Sequence, residues 1–134
     1  MIIGYCRAYP LEPKSSLVIQ RNRLLAVGAQ EFFEERAHLF GPATELRRAL
    51  QRAEQGDVLI VTRPYRLALT QKAIVALIQQ LGKRGIGVRI LDTPVDTSTT
   101  TGRMLMGSAP LWSLGLSPTR SLMHDLGSGR FFRP

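Results

Sequence analysis

Cysteine is almost missing from this chain. Cys6 is the only one, so no disulfide can form within the 134 residues, and its place in an apolar run reads as a small core hydrophobe in a reducing compartment. Histidine is nearly as scarce: His38 and His124 lie far apart and belong to no metal or triad pattern, which leaves them surface roles. Asp96 has no second acidic residue at metal-ligand spacing, so neither a metal nor any small-molecule cofactor is expected. No apolar stretch approaches the roughly 20 residues a membrane-spanning helix needs. The first residues lack the basic region and long apolar core of a signal peptide, and the expected location is the cytoplasm. Internal repeats and low-complexity segments are absent too.

Acidic residues are outnumbered. Against 10 Asp+Glu stand 18 Lys+Arg, a net charge of +8, and fifteen of those cations are arginine, whose planar fork suits bidentate contact with phosphate. A sequence pI near 10.8 makes nucleic acid or another polyanion the leading partner class. The plain alternative is a solvated basic surface with no fixed ligand. The length suits one domain with its own core.

Along the chain, strands and helices alternate. Residues 1–6 form an apolar run that turns polar at Arg7 and stops at Pro10, as expected of a buried strand opening into a loop. Two prolines then bracket Glu12 in a stiff connection. Ser15 or Ser16 suits an N-cap, with Leu17, Leu24, Leu25 and Val27 on the apolar face of a helix ending at Gly28. Phe32 and Phe33 mark a second strand among glutamates. Leu46, Ala49, Leu50 and Ala53 recur at helical spacing, with Arg47, Arg48 and Arg52 outward. Residues 58–61 read as a fully covered parallel strand, and residues 62–70 as a polar connection at its end. Ile74, Leu77, Ile78 and Leu81 make one stripe of a long helix closed by Gly85, and residues 88–91 supply a last strand. The fold class expected is α/β, three-layered, with a mostly parallel sheet of four to five strands and helices on both faces. After Thr97 the pattern weakens: residues 97–101 suit a helix cap, but Pro110, Gly115, Pro118, Gly127 and Gly129 interrupt the remainder of the chain.

Three segments carry a family resemblance. Gly4, Tyr5, Cys6 and Arg7 follow the opening strand Gly-Tyr-x-Arg; residues 56–61 with Arg63, Arg66 and Leu67 follow Gly-Asp-x-x-x-Val and its Arg-Leu continuation; and Pro94, Val95, Asp96 and Thr97 with Gly102 and Arg103 follow Asp-Pro-Ile-Asp-Thr-x-x-x-x-Gly-Arg. In their order and spacing over about residues 1–106, the chain resembles the catalytic domain of the serine recombinases, the resolvases and invertases. Gln20 also falls where that family often carries a glutamine, after a loop two residues longer here.

The resemblance implies cleavage of DNA by a serine hydroxyl, with arginines holding the scissile phosphate, since phosphoryl transfer rests on in-line positioning and concentrated positive charge. Arg7 and Arg66 stand at the family's arginine positions. The nucleophile position is held by Tyr9, whose hydroxyl sits several ångströms further from the backbone than a serine oxygen. Leu69 and Tyr65 replace a second arginine and an aspartate, and the segment around Ala43 lacks an arginine. These departures make the chain a degenerate member.

The expected division is a resolvase-like domain over residues 1–106, followed by an irregular extension, residues 107–134, where the family has its long dimerisation helix. The expected catalytic positions are Tyr9, inactive as a nucleophile, with Arg7 and Arg66. The expected phosphate or DNA contacts are Arg7, Arg63, Arg66, Thr97, Ser98 and Arg103. The alternative for Arg7 and Arg66 is pairing with carboxylates such as Asp57 or Asp96. The preferred function is a non-cutting binding or regulatory module associated with DNA or with a recombinase, forming a homodimer or joining that partner through residues 100–116. Two other readings stand beside it: an active recombinase using Tyr9 or a displaced serine, and a protein-interaction module with no nucleic-acid role.

Overall fold

A computed structural model describes residues 1–36 and 41–98 of the chain. The apolar start of the sequence becomes β1 (Ile2–Ala8), buried over almost its whole length. Around it the alternating pattern produces α1 (Ser15–Ala26), β2 (Glu31–Arg36), α2 (Thr44–Arg52), β3 (Val58–Val61), a 3-10 turn at Pro64–Arg66, α3 (Gln71–Lys83) and β4 (Gly87–Ile90). All strand pairs are parallel, in the order β2-β1-β3-β4. The four-stranded α/β sheet expected from the sequence is therefore present, and the glutamate-rich stretch around Phe33 is indeed a strand.

Side chains alternate across β1 and feed two cores. Ile3 and Tyr5 join Leu59, Val61, Val88 and Ile90 beneath α2 and α3, which contribute Leu46, Ala49, Ile74, Ile78 and Leu81. Cys6 and Ile60 face the other way and pack with Leu24 and Leu17 of α1. Helices thus cover both faces. Burial pushes the Cys6 thiol up to about 12, with Glu34 adding to the effect, so it is an inert core group at neutral pH. Gly28 and Gly85 follow the ends of α1 and α3 with positive φ, where a side chain would be strained; Gly56, expected to end α2, has positive φ too but lies in the turn before β3, since α2 stops at Arg52 with Ala53 extended.

The first helix departs from its expected face at Leu25. Leu25 is 56% exposed, as is Ile19, while the buried positions are Ser16, Gln20 and Leu24, an i, i+4, i+8 stripe that is two-thirds polar. Of the expected apolar face, Leu17, Leu24 and Val27 pack on the core and Leu25 does not, because the end of β1 demands hydrogen-bond partners from α1 and takes them from Ser16 and Gln20. Ser15 and Ser16 are not caps either: Lys14 holds the N-cap position, and Ser16 lies inside the helix. At α3 the cap is Thr70, which accepts a hydrogen bond from the Ala73 amide.

The order β2-β1-β3-β4 fixes where a ligand site belongs. From β1 the chain goes one way to β2 and then crosses back to β3, so connections leave β1 and β3 in opposite directions and open a crevice beyond their carboxyl ends. Arg7, near the end of β1, and Arg66, in the turn after β3, sit at that crevice. No helix among the described residues is long and apolar enough to cross a membrane.

Candidate functional site

Arg66 is delivered by the turn Pro64–Arg66, and its guanidinium is buried at 5% exposure. It grips Glu12: Nη1 donates to Oε2 at 2.6 Å and Nη2 to Oε1 at 2.7 Å. Nη1 also donates to the backbone carbonyl of Arg7 at 2.9 Å. The pairing carboxylate is therefore neither Asp57 nor Asp96. Asp57 accepts from the N-terminal amine and the Glu54 amide, and Asp96 from the Ser98 amide, near the start of β4.

Glu12 is held from four directions. Besides both arms of Arg66, its carboxylate accepts from the Tyr9 amide at 2.6 Å and from the Ser16 hydroxyl at 3.1 Å. An ionised carboxylate has about four lone-pair sites, and this one is saturated. Arg36, at the end of β2, straps the loop down by donating to the carbonyls of Tyr9 (3.3 Å), Glu12 (3.1 Å) and Pro13 (3.2 Å). Sequence pattern marks Glu12 only as loop and Arg36 only as part of the surface charge. The one available signal is a lone acid between two prolines in an arginine-rich chain.

Gln20 works as a clamp on β1. Its Oε1 accepts from the Arg7 amide at 3.1 Å, and its Nε2 donates to the Arg7 carbonyl and the Ser16 hydroxyl, both at 3.0 Å. This explains why a polar residue occupies the buried face of α1.

Tyr9 is 2% exposed, and its hydroxyl donates to the backbone carbonyl of Tyr65. The Arg7 guanidinium lies 5.8 Å from the centre of the Tyr9 ring, within cation–π range. Arg7 is 5% exposed, its Nε has no hydrogen-bond partner, and no carboxylate among the described residues pairs with it. On the same face, burial and a hydrogen bond to Glu35 hold the Tyr5 phenol far above its usual range, so it remains neutral.

The other expected contacts lie elsewhere. Arg63 donates through Nε to Asp92 at 3.1 Å. Thr97 is tied to the β4 backbone, its Oγ1 accepting from the Val88 amide at 2.8 Å, and Ser98 crowds Gly87. Gly87 and Val88 are level with Val58 and Leu59, hence with the start of β1, so Thr97 and Ser98 sit at the opposite end of the sheet from Arg7. Arg103, His38, His124 and the surface at residues 100–116 fall outside the described residues, as does the extension at 107–134.

Asp92 joins Arg23 of α1 to Arg63 after β3. Burial opposes its ionisation, but the hydrogen bond and charge of Arg23, with Arg63 beside them, outweigh that and hold the carboxyl below its usual value. Its stabilising contribution is therefore full above the unfolded carboxyl pKa of about 3.9 and drains away as pH falls through the lower folded value. Urea midpoints of the parent and Asp92→Asn are expected to differ most at neutral pH and low salt and to converge toward about pH 2. A gap that stayed constant over that range would dismiss the ion pair as its source.

Residues 2–110 match the family described as "Resolvase, N terminal domain". The chain belongs to this family. It is 38% identical over 106 residues to the serine recombinase gin of Escherichia phage Mu, covering 77% of this chain and 53% of that protein. It is 34% identical over 102 residues to the DNA-invertase hin of Salmonella typhimurium, with 75% and 53% covered. A third relative is the transposon Tn552 resolvase of Staphylococcus aureus, 31% identical over 110 residues, with 78% and 54% covered. The chain spans about half the length of the curated relatives it matches. The resemblance drawn from Gly4 to Arg7, residues 56–67 and residues 94–103 is thus a true family relationship.

Proposed function

We propose that this member of the resolvase family does not cut DNA and serves instead as a binding or regulatory module associated with DNA or with a DNA-bound recombinase. The observation that carries this reading is Tyr9. The residue at the nucleophile position is enclosed, and its hydroxyl is engaged by a backbone carbonyl, 56 residues away in sequence. In-line attack needs an oxygen about 3 Å from phosphorus with a free line of approach, and a misplacement of 1 Å can cost about a hundredfold in rate. The Arg66 fork, which would have to hold the phosphate, already holds Glu12.

A DNA partner is supported by the charge of +8, by the predominance of arginine and by relatives named for recombination and for DNA inversion. The test is incubation with supercoiled plasmid, followed by denaturing electrophoresis for a protein–DNA adduct. Neither nicking nor adduct is expected, and Tyr9→Phe should behave like the parent. Nicking absent from a mock preparation and lost in Arg66→Ala would overturn the reading. Any duplex binding should weaken steeply with salt, since released counterions drive phosphate contacts. Binding that ignores salt would favour a protein partner instead.

A further inference from the structure

We propose that the outer face of α1 is a self-complementary contact on which a second copy of this chain docks, the two helices running antiparallel about a two-fold axis at Asn22. The inference goes beyond the non-cutting reading and does not depend on it, and the surface is distinct from residues 100–116.

Among the described residues five large hydrophobic side chains are exposed, and four of them, Leu11, Val18, Ile19 and Leu25, belong to α1 or to the loop leading into it. Single apolar residues are ordinary on a surface, but this concentration on one element marks a contact face. Val18, Asn22 and Leu25 line up as i, i+4 and i+7, and Ile19, Asn22 and Ala26 as i, i+3 and i+7, all exposed, while Ser16, Gln20 and Leu24 hold the buried side. Asn22 is therefore the polar centre of an apolar stripe.

The rim favours another copy over nucleic acid. Arg21 and Arg23 flank the stripe, yet both are engaged within the chain: Arg21 donates to Glu34 at 2.9 Å and lies over the Phe32 ring, and Arg23 is bonded to Asp92. A chain of net charge +8 repels its own copies in general, but here the rim charges are cancelled locally, so two such faces can approach.

A two-fold contact sets residue i of one copy against residue j of the other, and j against i. With Asn22 on the axis, Val18 meets Ala26 and Ile19 meets Leu25, each pair occurring twice, so every pairing is apolar. The two Asn22 amides meet each other, the kind of single polar pair that fixes register. Lys14 adds a complementary charge. It occupies the N-cap, makes no side-chain cap bond and opposes the positive end of its own helix dipole; in the antiparallel pair it falls beside the C-terminal end of the other copy's α1, where a cation is favoured. A contact along one 12-residue helix, about 18 Å long, is smaller than the roughly 800 Å² a side of a standard stable complex, so the association is weaker than about 1 µM.

The test is sedimentation equilibrium of the full chain from about 10 µM to 1 mM, on the parent, Ile19→Lys, Leu25→Glu and an equimolar mixture of the two variants. The parent should show a concentration-dependent association step that each single variant weakens at least about tenfold, because either substitution places a charge against an apolar side chain. In the mixture the new ammonium and the new carboxylate face each other across the axis, and association should return. Both positions are exposed, so thermal melting of dilute variants should match the parent. Val18→Lys and Ala26→Glu form a second reciprocal pair for use if either of the first fails to fold. Recovery in the mixture upholds the proposal and its antiparallel register. A parent that stays monomeric overturns it and leaves the face to a different protein. Single variants that associate like the parent overturn it by placing the step elsewhere, and a mixture that fails to recover overturns the register on which it stands.

Discussion

Glu12→Ala in chloride buffer is expected to lose about 3–5 kcal/mol of stability, the usual cost of stripping one partner from a buried ion pair. Both side chains of the pair are 6% exposed, so the abandoned Arg66 cannot recover its loss by hydration. The Tyr9 amide and the Ser16 hydroxyl lose their acceptor in the same step. For a domain whose total stability lies within about 5–15 kcal/mol, that is a large share. Replacing both partners with apolar residues, as in Glu12→Leu/Arg66→Met, should be far milder than Glu12→Ala, because no charge is left buried alone. Urea denaturation reads both. A loss below about 1 kcal/mol for Glu12→Ala would place the pair at the surface, where such bridges contribute little.

Gln20→Ala should cost about 2–4 kcal/mol, combining an orphaned buried amide with the space left by the side chain. Gln20 is 4% exposed and is the acceptor for the Arg7 amide. The Arg7 carbonyl would keep its bond from Arg66, so the damage concentrates on the amide. Hydrogen exchange at Arg7 should accelerate more than at Tyr5 in the centre of the same strand. By contrast, Asn22→Ala on the exposed side of α1 is expected to change stability by less than about 0.5 kcal/mol. Equal effects from the two substitutions would remove Gln20 from any positioning role.

The fold was legible because its signals are collective. Residues 58–61 are apolar in unbroken succession, Ile74, Ile78 and Leu81 keep one stripe, and Gly28 and Gly85 follow the ends of two helices. The site was legible only in part. Arg7, Arg66 and Tyr9 could be located because a motif fixes their places along the strands. Glu12, Ser16 and Gln20 meet through a single carboxylate and a single amide, and no period in the sequence announces a contact between residue 12 and residue 66. The same polar cluster explains the one misplaced residue on the face of α1, since Gln20 is inside for its hydrogen bonds while Leu25 is outside. Thr97 and Ser98 look like an anion cradle by composition, yet the β4 backbone claims the threonine hydroxyl.

The placement of β1 also governs how the molecule can be assembled. This strand is synthesised before both of its neighbours, β2 and β3, so its ladder stays half unpaired until residue 61 has been made. The core cluster that holds Ile3 and Tyr5 stays incomplete longer still, until α3 has been made through Leu81. A nascent chain at that stage presents an apolar strand with an open edge, the kind of surface that recruits chaperones or, without them, other nascent chains.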